Sequence, residues 1–161
     1  KLIGAGLPMG PVGASREAMG NLAPLGGVYQ AGTLSGNPLA TAAGLAALSH
    51  LSADAYEQLT ATATRLQEGM LDAFAAAGVS AVLPRVGPLL GLFFTDIEPH
   101  DFDSAKAAAD NGVYPRFFHG MLDRGIALAP GAYEALFPSL AHGTAEIDAT
   151  IEAVAEVAST L

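Results

Sequence analysis

The stretch "VYQAGTLSGNPLATAAG" (residues 28–44) decides how the rest of the chain is read. Its second half is a helix start. Asn37 has the side chain of an N-cap, Pro38 suits the first helical position, and "NPLATAAGLAALSHL" (residues 37–51) continues as a helix of small and apolar residues. Such a helix suits close packing on a sheet or another helix. The first half places Gly32, Thr33, Ser35 and Gly36 just before that start. Hydroxyls and unhindered backbone N–H groups ahead of a helix are the composition of a phosphate cradle. A hydroxyl-rich capping loop has the same composition, so the stretch alone leaves both readings open.

Upstream lies "KLIGAGLPMGPVGASREAMG" (residues 1–20), and nine of the 19 glycines fall within residues 1–36. Backbone of this kind turns sharply or lies close to a ligand. "GAGLPMG" (residues 4–10) comes near a dinucleotide fingerprint. However, Pro8 interrupts it, only Leu2 and Ile3 precede it as strand, and no strand ending in an acid follows at the required distance. No Gly-Lys-Ser/Thr is present for a phosphate loop of the Walker type. Lys1 has two readings. A primary amine among small residues can condense with an aldehyde cofactor whose flat ring lies close, or it is a solvated end.

Downstream, residues 56–77 read as a long amphipathic helix with Leu59, Ala63, Leu66, Met70, Ala73 and Phe74 on one face and Gly78 as its stop. "SAVLPRV" (residues 80–86) and "GLFFTDI" (residues 91–97) read as two short strands around the turn signal Gly87-Pro88. "EPHDFDSAKAAADNG" is a polar loop with room for a short helix. "YPRFFHGMLDRG" is helical, with Phe117, Phe118, Met121 and Leu122 as its stripe, and "IALAP" (residues 126–130) reads as a short buried strand. "GAYEALFPSLAHG" is irregular. Thr144 then caps a last helix with Ile147, Ile151, Val154, Ala158 and Leu161 on one face. The character changes near residue 52, which predicts two parts, residues 1–52 and residues 53–161. Residues 53–161 have the make-up of a complete α+β domain, and residues 1–52 that of the tail of another.

Composition narrows the function classes. Hydrophobic residues make up 51% and charged residues 14%, which is a folded chain. So few charges, with so much Ala and Gly, also predict apolar surface that a partner or further chain covers. The net charge of −9, with only seven scattered Lys and Arg, argues against a nucleic-acid or anionic-membrane surface. No apolar run reaches the roughly 18 residues of a membrane span. Zero cysteines exclude disulfides and thiolate metal sites and fit a reducing cytoplasm. His50, His100, His119 and His142 show no metal-binding spacing.

The two glycine-rich stretches taken together resemble one family. "KLIGAGLPMGPVGASREAM" followed by "YQAGTLSGNPLATAAGLAAL" is similar to the glutamate-1-semialdehyde 2,1-aminomutases, within the class III (ω-) aminotransferase group. "GPLLGLFFTD", "FFHGMLDRGIALAPGAYEALFPSLAHG" and "IDATI" also resemble that family's small domain, so the likeness covers essentially the whole chain. One departure is mild: Ala14-Ser15 stand where the family usually has Gly-Gly. The resemblance implies an α/β fold, the pyridoxal phosphate (PLP)-dependent transferase fold type I. Residues 1–52 would be the end of its large domain and residues 53–161 its C-terminal α+β small domain.

It further implies pyridoxal 5'-phosphate as cofactor, Lys1 as Schiff-base lysine and proton shuttle, and Gly32 and Thr33 as phosphate ligands reaching across a homodimer interface. Glu134 would face a small amino-aldehyde substrate. No metal is implied. Relatives that exchange the amino group with a separate keto acid carry an arginine in the segment that here reads "ALFPSLAHG", with Phe137 and no arginine. The apolar version favours an amino group kept on one skeleton, unless Arg116 or Arg124 holds the carboxylate instead. Another class III aminotransferase is the alternative. The family's pyridinium-pairing aspartate and ring-stacking aromatic belong to upstream segments, so these residues alone are expected to be inert.

Overall fold

The computed structural model describes residues 3–161 and divides the chain into two compact units, Lys1–Ala53 and Asp54–Leu161. The first unit is mostly loop around two helices. The one-turn helix α1 (Arg16–Met19) opens with the Ser15 hydroxyl accepting from the Ala18 N–H at 3.2 Å. Helix α2 (Pro38–Ser49) opens where its residue types predict. The Asn37 side chain accepts from the N–H groups of Leu39 at 3.0 Å and Ala40 at 3.2 Å, and Pro38 has no N–H to leave unpaired. Helix α2 is apolar all round, which is the pattern of a helix enclosed by protein. Yet only Ala40 and Gly44 of it are buried, while Leu39, Leu45 and Leu48 are exposed.

The second unit holds helix α3 (Ala53–Ala76), strands β1 (Arg85–Val86) and β2 (Leu89–Leu90), and helices α4 (Phe102–Ala109), α5 (Val113–Asp123) and α6 (Thr144–Ala158). Helix α3 begins at Ala53 rather than Tyr56, because Asp54 in its first turn complements the positive end of the helix dipole. It buries Ala55, Ala63, Leu66, Met70 and Phe74, and stops at Gly78, whose φ of 71° favours glycine.

The hairpin is longer than its two-residue strands suggest. Arg85 pairs with Leu90 and Val86 with Leu89 around a two-residue turn whose Gly87 has φ 57°. The same register continues outward to Val82 and Phe93, which exchange both backbone bonds at 2.8 and 3.0 Å. Between them Gly91 donates to the Pro84 carbonyl at 2.8 Å, but proline has no N–H to return the bond. One missing donor therefore splits a single ladder. On the other edge, Leu90 and Leu136 exchange bonds at 3.2 and 2.8 Å.

Three expectations need correction. In α5 the buried face is Tyr114, Phe117 and Met121, and Leu122 is exposed at 46%. Residues 114, 117 and 121 follow the three-and-four spacing of one face, whereas Leu122 lies a further 100° round. Residues 126–130 are not a strand, since no neighbouring backbone pairs with them among the described residues. Thr144 is the first residue of α6, not its cap. The cap is Gly143, whose N–H donates to Glu146 Oε2 at 2.9 Å.

Two helix-interior glycines set how closely α6 lies against its neighbours. A Cβ on Gly69 of α3 would stand 2.4 Å from Ile151 Cδ1, and one on Gly120 of α5 would stand 2.8 Å from Val157 Cγ1. Each glycine costs about 1 kcal/mol of helix propensity, and close packing is what it permits. Around these contacts the core closes on Phe74, Phe94 and Phe117, and no buried side-chain N or O lacks a partner among the described residues. Phe117→Ala is expected to lower the stability of this unit by about 3–5 kcal/mol, and Leu122→Ala by less than about 0.5 kcal/mol. Urea unfolding followed by circular dichroism reads both. Equal losses would mean that Leu122 belongs to the core after all.

Candidate functional site

Within the first unit, the glycine-rich opening comes to lie beside the loop before α2. The opening turns sharply: Leu7 N–H donates to the Gly4 carbonyl at 2.9 Å, and Ala5 and Gly6 have φ of 49° and 88°. It then passes against α2 at Gly44. A Cβ there would stand 2.8 Å from Met9 Sδ and 2.9 Å from the Ile3 carbonyl oxygen, so glycine is what admits the segment. The result is a cleft of about 620 Å³, lined by residues 8–11, residues 32–37, Ala40 and Thr41. In the sequence only the family resemblance links these stretches.

The walls of this cleft suit an anion. No acidic side chain lines it, although the chain carries a net charge of −9. Asn37 occupies the N–H groups of Leu39 and Ala40, so the open donors belong to the loop and not to the helix itself. A 2.9 Å bond from the Ser35 N–H to the Gly32 carbonyl closes the loop as a turn. Gly36, with φ 71°, turns the chain into Asn37. A Cβ on Gly32 would stand 2.7 Å from Ser35 Oγ, so glycine there keeps the turn tight. The N–H of Thr33 and its hydroxyl have no protein partner among the described residues and are exposed. Such a set of hydroxyl and N–H donors fits a phosphate group. Lys1 lies outside the described residues.

Glu134 belongs to the second unit, in a turn where its N–H donates to the Gly131 carbonyl at 3.1 Å. Its carboxylate is exposed. Its charge is felt by Tyr114, whose phenol is pushed above its ordinary value first by burial and second by Glu134. The Tyr114 hydroxyl donates to the Ala129 carbonyl at 2.7 Å, which fixes the start of that loop. Both arginines that could replace the one absent from "ALFPSLAHG" have protein partners. Arg116 donates to the Thr160 carbonyl at 2.8 Å. Arg124 donates to Glu156 at 2.7 Å and to the Gly120 carbonyl at 3.0 Å. His142 Nδ1 accepts from the Ser139 N–H at 2.9 Å, a local turn contact. Among the described residues no group of His, Asp and Glu side chains is placed to hold a metal ion, and no helix is long and apolar enough to cross a membrane.

The class-III aminotransferase family profile matches residues 1–155. A curated relative, the glutamate-1-semialdehyde 2,1-aminomutase of Desulforapulum autotrophicum, is 51% identical over 158 residues. The alignment takes in 98% of this chain but only 37% of that protein. Among solved structures, an ω-transaminase from Sphaerobacter thermophilus superposes with a TM-score of 0.82 at 25% identity, over 97% of this chain and 36% of its own. A transaminase with PLP bound superposes with a TM-score of 0.81 at 24% identity, over 99% of this chain and 37% of its own. The chain thus spans little more than a third of the length of the proteins it matches, and its architecture is part of the PLP-dependent transferase fold type I.

The cleft depends on the close approach at Gly44. Gly44→Val is expected to push residues 3–9 off α2, because one of the atoms in its way is backbone. Amide hydrogen exchange at residues 4–10 should speed up by about tenfold or more, with residues 54–161 unchanged. Unaltered exchange would show that the opening segment is held by something other than α2.

Proposed function

The chain belongs to the class III aminotransferase family, and from that premise we propose that it supplies the C-terminal part of a glutamate-1-semialdehyde 2,1-aminomutase. That enzyme moves an amino group from C2 to C1 of one skeleton, giving 5-aminolevulinate for tetrapyrrole synthesis. The observation that carries the reading is the 51% identity, over nearly the whole chain, to a relative of that name. On this reading residues 1–52 end the large domain, residues 53–161 form the small domain, and the enzyme acts in the cytoplasm as a homodimer.

The cofactor is pyridoxal 5'-phosphate, whose conjugated ring provides an electron sink for a carbon that has lost a proton. The donors of Gly32 and Thr33 hold its phosphate, reaching into the neighbouring subunit's site. Their open N–H and hydroxyl groups, in a cleft without acids, support that role. The exposed leucines of α2 support a further protein surface against this unit. Lys1 takes a proton from one substrate carbon and returns it to another. A single amine suits successive 1,3-shifts, because the group that accepts the proton is in place to give it back. Glu134 faces the substrate from the small domain.

A mutase has no need to bind a separate keto acid. The absence of arginine from residues 135–143, together with the pairing of Arg124 with Glu156, supports that reading. The likeness to an ω-transaminase favours the second reading, a class III aminotransferase acting between two molecules. The full-length enzyme separates the two. With glutamate-1-semialdehyde alone it should form 5-aminolevulinate, and absolute dependence on an added keto acid would sink the mutase reading. Lys1→Ala should lower turnover by about 10²–10⁴-fold. Thr33→Val should weaken cofactor binding by about tenfold or more, as expected for a lost hydrogen bond to a charged group.

A further inference from the structure

The turn that carries Glu134 is tied down at both ends, and the ties leave a gap. Its start is held by the Tyr114 hydroxyl on the Ala129 carbonyl at 2.7 Å. Its end is held by the reciprocal bonds between Leu136 and Leu90 at 3.2 and 2.8 Å. Between these anchors the backbone makes one bond of its own, from the Glu134 N–H to the Gly131 carbonyl. Neither anchor fixes the direction in which the carboxylate points.

One further contact acts inside the gap. Tyr133 lies against Phe102, with ring centroids 6.2 Å apart and planes 18° from parallel. Both residues are largely exposed, at 56% and 70%, so this is not core packing; it is two surface rings covering each other. Phe102 is the first residue of α4, and that helix is itself well fixed. Asp101 Oδ1 accepts from the Ser104 N–H at 2.8 Å, Ala108 is buried, and Asn111 Nδ2 donates to the Phe94 carbonyl at 2.6 Å. The stack therefore connects the residue beside Glu134 to a rigid helix end.

We propose that the Phe102–Tyr133 stack is a positioning device that holds the Glu134 carboxylate in the orientation it uses toward substrate. This rests on the reading of Glu134 as a substrate-facing residue. Tyr133 and Phe102 act through Glu134 and do not themselves meet the reacting atoms. An offset aromatic pair biases a conformational equilibrium by about two- to tenfold, and losing it should spread the carboxylate over other orientations by that factor.

The test is a mutant cycle in the full-length holoenzyme, with KM and kcat measured separately for the amino-aldehyde substrate. Glu134→Gln sets the scale of what the carboxylate contributes. Tyr133→Ala and Phe102→Ala should each shift KM in the same direction as Glu134→Gln, by about two- to tenfold, with kcat changed less. In the Glu134→Gln background neither should have any further effect. Tyr133→Phe keeps the ring and should restore the KM. It also answers the concern that Tyr133→Ala merely unfolds the loop, as does an unchanged thermal midpoint. Shifts that add fully to that of Glu134→Gln would overturn the positioning role while leaving Glu134 as a substrate residue. A silent Glu134→Gln would overturn the reading of Glu134 itself, and the positioning proposal with it.

Discussion

Three phenylalanine rings from three separate segments meet at the centre of the second unit, and its other contacts are built around them. Phe74 of α3, Phe94 beyond β2 and Phe117 of α5 have centroids 5.3 to 5.5 Å apart. Two of the three pairs are edge-on, the arrangement that brings a ring's positive rim to another's negative face. Tyr114 joins the same cluster, at 6.3 Å from Phe117 and 6.4 Å from Phe94. It is also the residue whose hydroxyl holds the Ala129 carbonyl. Leu90, which pairs with Leu136, is buried in the same core. The loop bearing Glu134 is thus fastened at one end to a side chain of the aromatic cluster and at the other to the backbone of a residue buried in the same core, so a rigid interior fixes the path of an exposed loop.

The first unit is organised in the opposite way. It buries almost no large side chain; its contacts are backbone bonds, helix caps and glycines that let one segment pass close to another. A cleft made from main-chain donors keeps its chemistry only while the turns hold their shape. The turns depend on left-handed glycines such as Gly6 and Gly36. Stability of such a unit has to come from surfaces beyond it, which accords with a helix that is apolar all round and with relatives nearly three times as long as the part matched.

Charge is distributed to match. The four arginines of the second unit are all engaged: Arg65 with Asp148, Arg85 with Gln67 and the Gly87 carbonyl, Arg116 with the Thr160 carbonyl and Arg124 with Glu156. These contacts are at the surface and contribute little to stability individually. Their effect is to orient, tying α3 and α5 to α6 or, through Gln67, to the hairpin. The cleft of the first unit stays free of acids in a chain that is otherwise strongly acidic, so an anion meets open donors without a repelling neighbour.

Local chemistry by itself determined much of this. The Asn37-Pro38 helix start, the Gly78 stop, the Gly87-Pro88 turn and the buried face of α3 are read from neighbouring residues, because caps, turns and helical spacing act over a few positions. The likeness of residues 28–44 to a family motif was also legible. Decisions made by distant partners were not. Leu122 and Tyr114 are both apolar enough for the α5 stripe, and only the position of the aromatic core chose Tyr114. Residues 126–130 have strand composition, but a strand requires a neighbour with free donors and acceptors, and none pairs with them among the described residues. The meeting of residues 8–11 with residues 32–37, and of Tyr133 with Phe102 across 31 positions of chain, follows from the path of the backbone in space. No periodicity records it, since residue types encode how a segment folds locally and the tertiary structure decides which segments become neighbours.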